Sequence, residues 1–158
     1  MDKNHRYFIK EAVEMAAENA QKGGGGPFGA IIVKDGEIIG RGVNRVTTSK
    51  DPTAHAEVAA IRDACSNIED FRLNGAVIYA SCEPCPMCLA AIYWARLEKV
   101  YYAAENTDAA KAGFDDSFIY EEVRLSPEKR SVGMKKIDLD IFLKPFDTWK
   151  KMEDKVSY

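Results

Sequence analysis

The chain has 158 residues, 46% hydrophobic and 30% charged, with a net charge of −3. That length and composition describe one domain with its own core and exclude a disordered chain. The acidic balance argues against a surface built to grip nucleic-acid phosphates, and no apolar run is long enough to cross a bilayer. The N-terminus carries acids and lacks the apolar stretch of a signal peptide.

In chain order, Tyr7, Phe8, Val13, Met15 and Ala16 recur at near-helical spacing and predict an amphipathic helix over 4–22, with His5 as a solvated residue of it. Gly23 to Gly26 end that helix; with no strand before them and no Lys-Ser/Thr after them, they are not a phosphate loop. Gly29–Val33 and Glu37–Gly40 flank Asp35-Gly36, a hairpin signal, with the second strand running on to about Val46. A polar loop over 47–52 leads to Thr53, which caps a helix from about Ala54 to Ala64. Ala76–Ala80 reads as a buried strand, Pro84 opens a helix reaching Trp94, and Lys99–Ala104 is another strand. Short helices are expected at 107–112 and 115–122, a strand near 134–138 and a last helix near 145–154. Strand–helix–strand units favour parallel pairing while the hairpin adds an antiparallel edge, so the expected fold is α/β: a three-layer α/β/α sandwich around a mixed five-stranded sheet.

Four cysteines are present, and Cys82, Cys85 and Cys88 fall within seven residues. With no secretion signal, that spacing favours metal binding or catalysis over a disulfide framework and implies a cytoplasmic protein with reduced thiols. Cys85 and Cys88 lie three apart at a helix start, which puts both sulfurs on one face where the helix dipole favours thiolates. His55 stands at the start of another helix. One imidazole and two thiolates make three zinc ligands, one short of a closed tetrahedron, and Glu57 is left free to move a proton. Three other readings compete: a redox Cys-x-x-Cys pair, the start of an iron–sulfur site, and a closed structural site in which Cys82 is the fourth ligand. The last gives Glu57 no role.

His55-x-Glu57 followed by Pro84-Cys85-x-x-Cys88 is the known signature of zinc nucleobase deaminases. On those motifs the chain resembles the cytidine deaminase superfamily along most of its length. The segments Gly25–Ala30, Asp51–Glu57, Ser81–Cys88, Ala91–Arg96 and Ala112–Tyr120 resemble its small bacterial guanine deaminases most. The resemblance implies a cytidine deaminase-like fold, one Zn²⁺ per subunit held by His55, Cys85 and Cys88, and hydrolysis of guanine to xanthine and ammonia by a zinc-activated water with Glu57 as proton shuttle. It further implies that Asn44 and the Ala56 backbone N–H read the base, that Phe28 and Trp94 pack on its faces, and that Asp116 and Tyr158 contact it from the later part of the chain. It implies a homodimer in which a C-terminal segment, about 140–158, is swapped between subunits, with no nucleic-acid or membrane partner. The residues alone leave plainer roles open: a turn for Asn44, core packing for Phe28 and Trp94, a helix start for Asp116, a chain end for Tyr158. Alternative substrates are cytosine, an ammeline-like triazine or tRNA adenosine, and the non-enzymatic alternative is a zinc-stabilised binding module.

Overall fold

A computed structural model describes residues 3–158, which divide into two compact units between Ser117 and Phe118. The first unit holds α1 (Lys3–Gln21), β1 (Gly29–Lys34), β2 (Glu37–Val43), α2 (Val46–Ser49), α3 (Ala56–Ile68), β3 (Ala76–Cys82), α4 (Pro86–Trp94), β4 (Lys99–Ala104) and α5 (Asn106–Lys111). α6 (Ser117–Arg124) begins at the boundary, and a 3₁₀ turn (Pro127–Lys129) and α7 (Lys144–Lys151) complete the second unit. No described helix is long and apolar enough to cross a membrane.

The sheet has four strands among the described residues, in the order β2-β1-β3-β4, not the five expected. The strand expected near 134–138 does not form. Its apolar residues stay exposed, Met134 at 55% and Ile137 at 73%, and it pairs with no neighbour. A strand forms only where a partner edge and a covering face exist.

The mixed pairing is as expected: β1 runs antiparallel to β2 and to β3, and β3 runs parallel to β4. The hairpin turns on Asp35 and Gly36, both with positive φ (52° and 84°), the conformation that the Asp-Gly pair accommodates. Pleating sends alternate residues of β1 and β3 to opposite faces. Ile31, Val33 and Tyr79 bury against Phe8 of α1 on one face. Ala30, Ile32, Ile78 and Ala80 bury against Ala56, Ala60 and Ala64 of α3 and Ile92 of α4 on the other. Each fully buried Ile or Leu contributes about 1.5–3 kcal/mol relative to exposure. The result is the three-layer sandwich, with α3 pressed close on β2: a Cβ at Gly42 would overlap the Ala56 carbonyl oxygen and the Ala60 backbone nitrogen.

Being each antiparallel to β1, β2 and β3 run in the same direction. Their C-terminal ends therefore meet at one end of the sheet, and α3 and α4, which follow them, present their first turns there. This topology brings residues 55–57 and 85–88 together. Local details differ from expectation. α3 begins at Ala56 with His55 at the N-cap, while Thr53 instead donates its N–H and hydroxyl to Asp51. α4 opens on Pro86, not Pro84, with Cys85 at the N-cap. His5 is half-buried rather than solvated: Nδ1 lies 2.7 Å from the Tyr79 hydroxyl, and its ring packs on Tyr101 at 4.3 Å.

Candidate functional site

His55 and Cys85 each occupy an N-cap position without capping their helix through the side chain. Their side chains serve each other instead: His55 Nδ1 lies 3.5 Å from Cys85 Sγ and 3.5 Å from Cys88 Sγ. Among the described residues, these three form the group able to hold a metal ion, with donor atoms all within 4.8 Å of one another. Standard Zn–N and Zn–S bonds at tetrahedral angles separate nitrogen from sulfur by about 3.5 Å, so the donor set fits zinc in both chemistry and spacing.

The protons of the site are correspondingly displaced. The hydrogen bond from Cys88, then that from His55, holds the Cys85 thiol down at about 4 against the opposing effect of burial. Cys88, the donor of that pair and itself buried, is pushed far up. His55 is raised, chiefly by its hydrogen bond to Cys85. Cys85 is thus disposed toward the thiolate, the form that a thiophilic cation binds.

Cys82 stands apart. It is buried at the end of β3, its Sγ donates to the Glu105 carbonyl at 3.6 Å, and burial raises its thiol to about 11. It is outside the three-donor group, which leaves that group with an open fourth position rather than a closed Cys₃His set.

Glu57 lies in the first turn of α3, 7% exposed, and burial pushes its carboxyl up. It opens with His55 and Cys85 onto a cavity of about 310 Å³, also lined by Phe28, Asn44 and Asp116. That is room for a small planar molecule. Asn44 is 7% exposed, and its Oδ1 accepts the N–H groups of Gly26 (3.1 Å) and Val46 (3.2 Å). With the oxygen so engaged, the amide NH₂ is the part left to serve a ligand. Phe28 meets Phe114 edge-on at 5.0 Å, a hydrophobic wall. Asp116 is half-buried and its carboxyl is raised, first by desolvation and then by the Cys85 charge.

Ala56, the first residue of α3 between His55 and Glu57, turns its side chain into the core, so only its backbone N–H is available to the site. The remaining expected residues fall outside the cavity lining. Trp94 ends α4, is 66% exposed and is not part of the cavity lining. Tyr158 closes the second unit and is 73% exposed. Among the lining residues that went unread in the sequence are Glu83 and Asn106, joined by a 3.4 Å hydrogen bond from the Asn106 N–H to Glu83 Oε2. The signal for Glu83 was its place between Cys82 and Pro84, inside the motif itself.

Residues 2–104 match the family described as the cytidine and deoxycytidylate deaminase zinc-binding region. The chain is 56% identical over 155 residues to the guanine deaminase of Bacillus subtilis (strain 168), covering 98% of this chain and 99% of that protein. It is 47% identical over 98 residues to the tRNA-specific adenosine deaminase of Aquifex aeolicus, covering 62% and 64% respectively. In structure, it is similar to the crystallographic guanine deaminase of Bacillus subtilis, with a TM-score of 0.96 at 54% identity over 100% of this chain and 99% of that one. Its likeness to the guanine deaminase of Nitrosomonas europaea is a TM-score of 0.66 at 28% identity, over 69% and 63%. With the three-donor group and a buried glutamate on one cavity, these matches show that the chain belongs to the cytidine and deoxycytidylate deaminase family.

Proposed function

We propose that this protein is a zinc-dependent hydrolase that converts guanine and water to xanthine and ammonia. The observation that carries the reading is the reach of the guanine deaminase likeness. It extends past residue 104, where the family's zinc-binding region ends, across 98% of the chain, whereas the likeness to the Aquifex tRNA deaminase covers 62%. The net charge of −3 also gives an RNA backbone little to bind.

One zinc per subunit would be held by His55, Cys85 and Cys88, where it supplies Lewis acidity that lowers the pKa of water to about 7. The chain's own residues do the rest. A C–O bond forms at the carbon bearing the exocyclic amine, and the C–N bond to that amine breaks. Glu57 takes a proton from the water and delivers it first to the adjacent ring nitrogen; a second transfer protonates the departing amine. A carboxyl whose proton affinity is raised by burial is suited to both taking and giving that proton. The Asn44 NH₂ donates to an acceptor on the base, the Ala56 N–H reads its edge, and Asp116 faces its N–H groups. Phe28 and Phe114 supply an apolar wall for the ring. Trp94, outside the cavity lining, is given no stacking role.

The second unit supports a homodimer completed by exchange of the C-terminal segment. Phe142, Leu143, Phe146, Trp149 and Met152 are 38–62% exposed, more apolar surface than a short segment leaves to solvent without a partner. Tyr158 would then reach the base from the partner's chain. Light scattering on the purified protein tests this: a dimer is expected, and a monomer with full activity would remove both the exchange and the Tyr158 contact.

The substrate is tested by ammonia release from guanine, cytosine, cytidine, adenine and ammeline, with xanthine followed spectroscopically. Turnover is expected with guanine at a kcat/KM well above the others. Release from another base alone would reassign the substrate, and release from none would favour a zinc-stabilised binding module.

A further inference from the structure

The last turn of α1 carries a side chain that ties together both strands of chain leading to Asn44. Asn19 Nδ2 donates to the Gly26 carbonyl at 3.0 Å and to the Asn44 carbonyl at 2.9 Å. Only the nitrogen of the amide can donate, so the orientation is fixed by chemistry. The return bond runs from the Gly26 N–H to Asn44 Oδ1. Gly26, Asn44 and Asn19 therefore close a ring of hydrogen bonds in which each backbone arm is held on both sides.

The glycine turn fits tightly into this ring. Gly25 has φ of 154°, and a Cβ there would overlap the Asn44 carbonyl oxygen. A Cβ at Gly24 would overlap Asn19 Oδ1. Thr48 Oγ1 closes the outer side by donating to the Gly24 carbonyl at 2.9 Å. The glycine run, which the sequence offered only as a helix stop and hinge, is wrapped around the side chain and backbone of Asn44. The Asn44 torsion about χ2 is held by the Gly26 and Val46 N–H groups, which reach Oδ1 only while the two backbone arms stay in register.

We propose that Asn19 is a positioning residue for the base-reading amide of Asn44. Its two donated hydrogen bonds hold the Gly26 N–H where it captures Asn44 Oδ1, and so leave the Asn44 NH₂ facing the cavity. The inference rests on the reading of Asn44 as a base-contacting residue. Asn19 belongs to α1, while the metal ligands and Glu57 belong to the starts of α3 and α4, so its loss is expected to act on binding of the base and not on the metal or the proton shuttle.

The test is a double-mutant cycle on the metal-loaded enzyme with Asn19→Ala, Asn44→Ala and both together, with zinc content and circular dichroism measured on each. Asn19→Ala is expected to raise KM for guanine about tenfold with kcat changed less than about twofold, because a uniform binding contact is weakened. In the Asn44→Ala background it is expected to add nothing. Asn19→Ser, which keeps one donor, should recover part of the lost affinity. Hydrogen exchange at the Gly26 and Val46 amides supplies a readout independent of turnover: both should exchange faster in Asn19→Ala. Independent, multiplicative effects of the two substitutions, or unchanged exchange at both amides, would overturn the proposal. Failure of the wild-type enzyme to act on guanine would instead overturn the substrate assignment, and the exchange measurement would still decide the role of Asn19.

Discussion

The thiol of Cys82 donates to the backbone carbonyl of Glu105 at 3.6 Å, and this bond engages the one nearby cysteine that could have closed the metal site. Burial keeps that thiol protonated at neutral pH, at about 11, while Cys85 is held near 4. Cys82→Ala should therefore retain one zinc per chain and lose on the order of 1 kcal/mol of stability for a buried sulfur and its hydrogen bond. Cys85→Ala and Cys88→Ala should each lose the metal. Elemental analysis after dialysis separates them; metal loss in Cys82→Ala would make the site closed and structural.

Asn44 Oδ1 accepts from the Gly26 and Val46 N–H groups, which leaves the amide NH₂ as the donor proposed for the base. Asn44→Asp keeps the acceptor for Gly26 and Val46 but removes the donor. The variant should fold with a thermal midpoint near wild type and bind the base at least about tenfold more weakly, the cost of a lost hydrogen bond to an acceptor left unpaired. Isothermal titration with a purine inhibitor and a melting curve, taken together, check it; unchanged affinity would show that the amide nitrogen does not touch the base.

The close seat of α3 on β2 fixes where His55 and Glu57 begin. Gly42 faces the Ala56 carbonyl and the Ala60 nitrogen with no room for a methyl group. Gly42→Ala should cost more than about 2 kcal/mol, because backbone rather than a flexible side chain must move. Urea denaturation of the metal-loaded protein gives the number, and a cost within about 0.5 kcal/mol would contradict the packing described.

Asp51 accepts both the N–H and the hydroxyl of Thr53 at 2.8 and 2.7 Å and faces Arg62 at 3.8 Å, which lowers its carboxyl, the Thr53 hydroxyl contributing most. A group with a lowered folded pKa adds stability above its unfolded value, about 3.9, and loses it as pH falls through the lower folded value. The advantage of wild type over Asp51→Asn, which cannot titrate, should be full at pH 6 and shrink below about pH 4. An advantage that grows on acidification would reverse the sign and refute the pairing.

Much of the site was legible because its chemistry is written in short, local spacings. His55 and Glu57 are two apart, Cys85 and Cys88 three apart, and the order of strands and helices brings the two helix starts to one end of the sheet. The helix bounds were less legible, since His55 and Cys85 stand at N-caps where Ser or Thr is usual and spend their side chains on each other. The strand expected near 134–138 failed because the residues Met134 to Asp138 say nothing about whether a partner edge exists. The role of Asn19 leaves no periodic trace, since it depends on contacts across 25 positions. For Trp94 the apolar helix suggested core packing and only the resemblance suggested ring packing; in the structure it is 66% exposed at the end of α4.

A metal held by His55, Cys85 and Cys88 and a proton moved by Glu57 would together deaminate guanine. Zinc content and xanthine formation, measured on the same samples of wild type and Glu57→Gln, separate the two parts. One zinc per chain is expected in both, with xanthine from guanine in the wild type and turnover reduced at least about 10²–10⁴-fold in the variant, the usual contribution of a positioned acid–base group. Undiminished xanthine formation by Glu57→Gln, or none by zinc-loaded wild type, would contradict this mechanism.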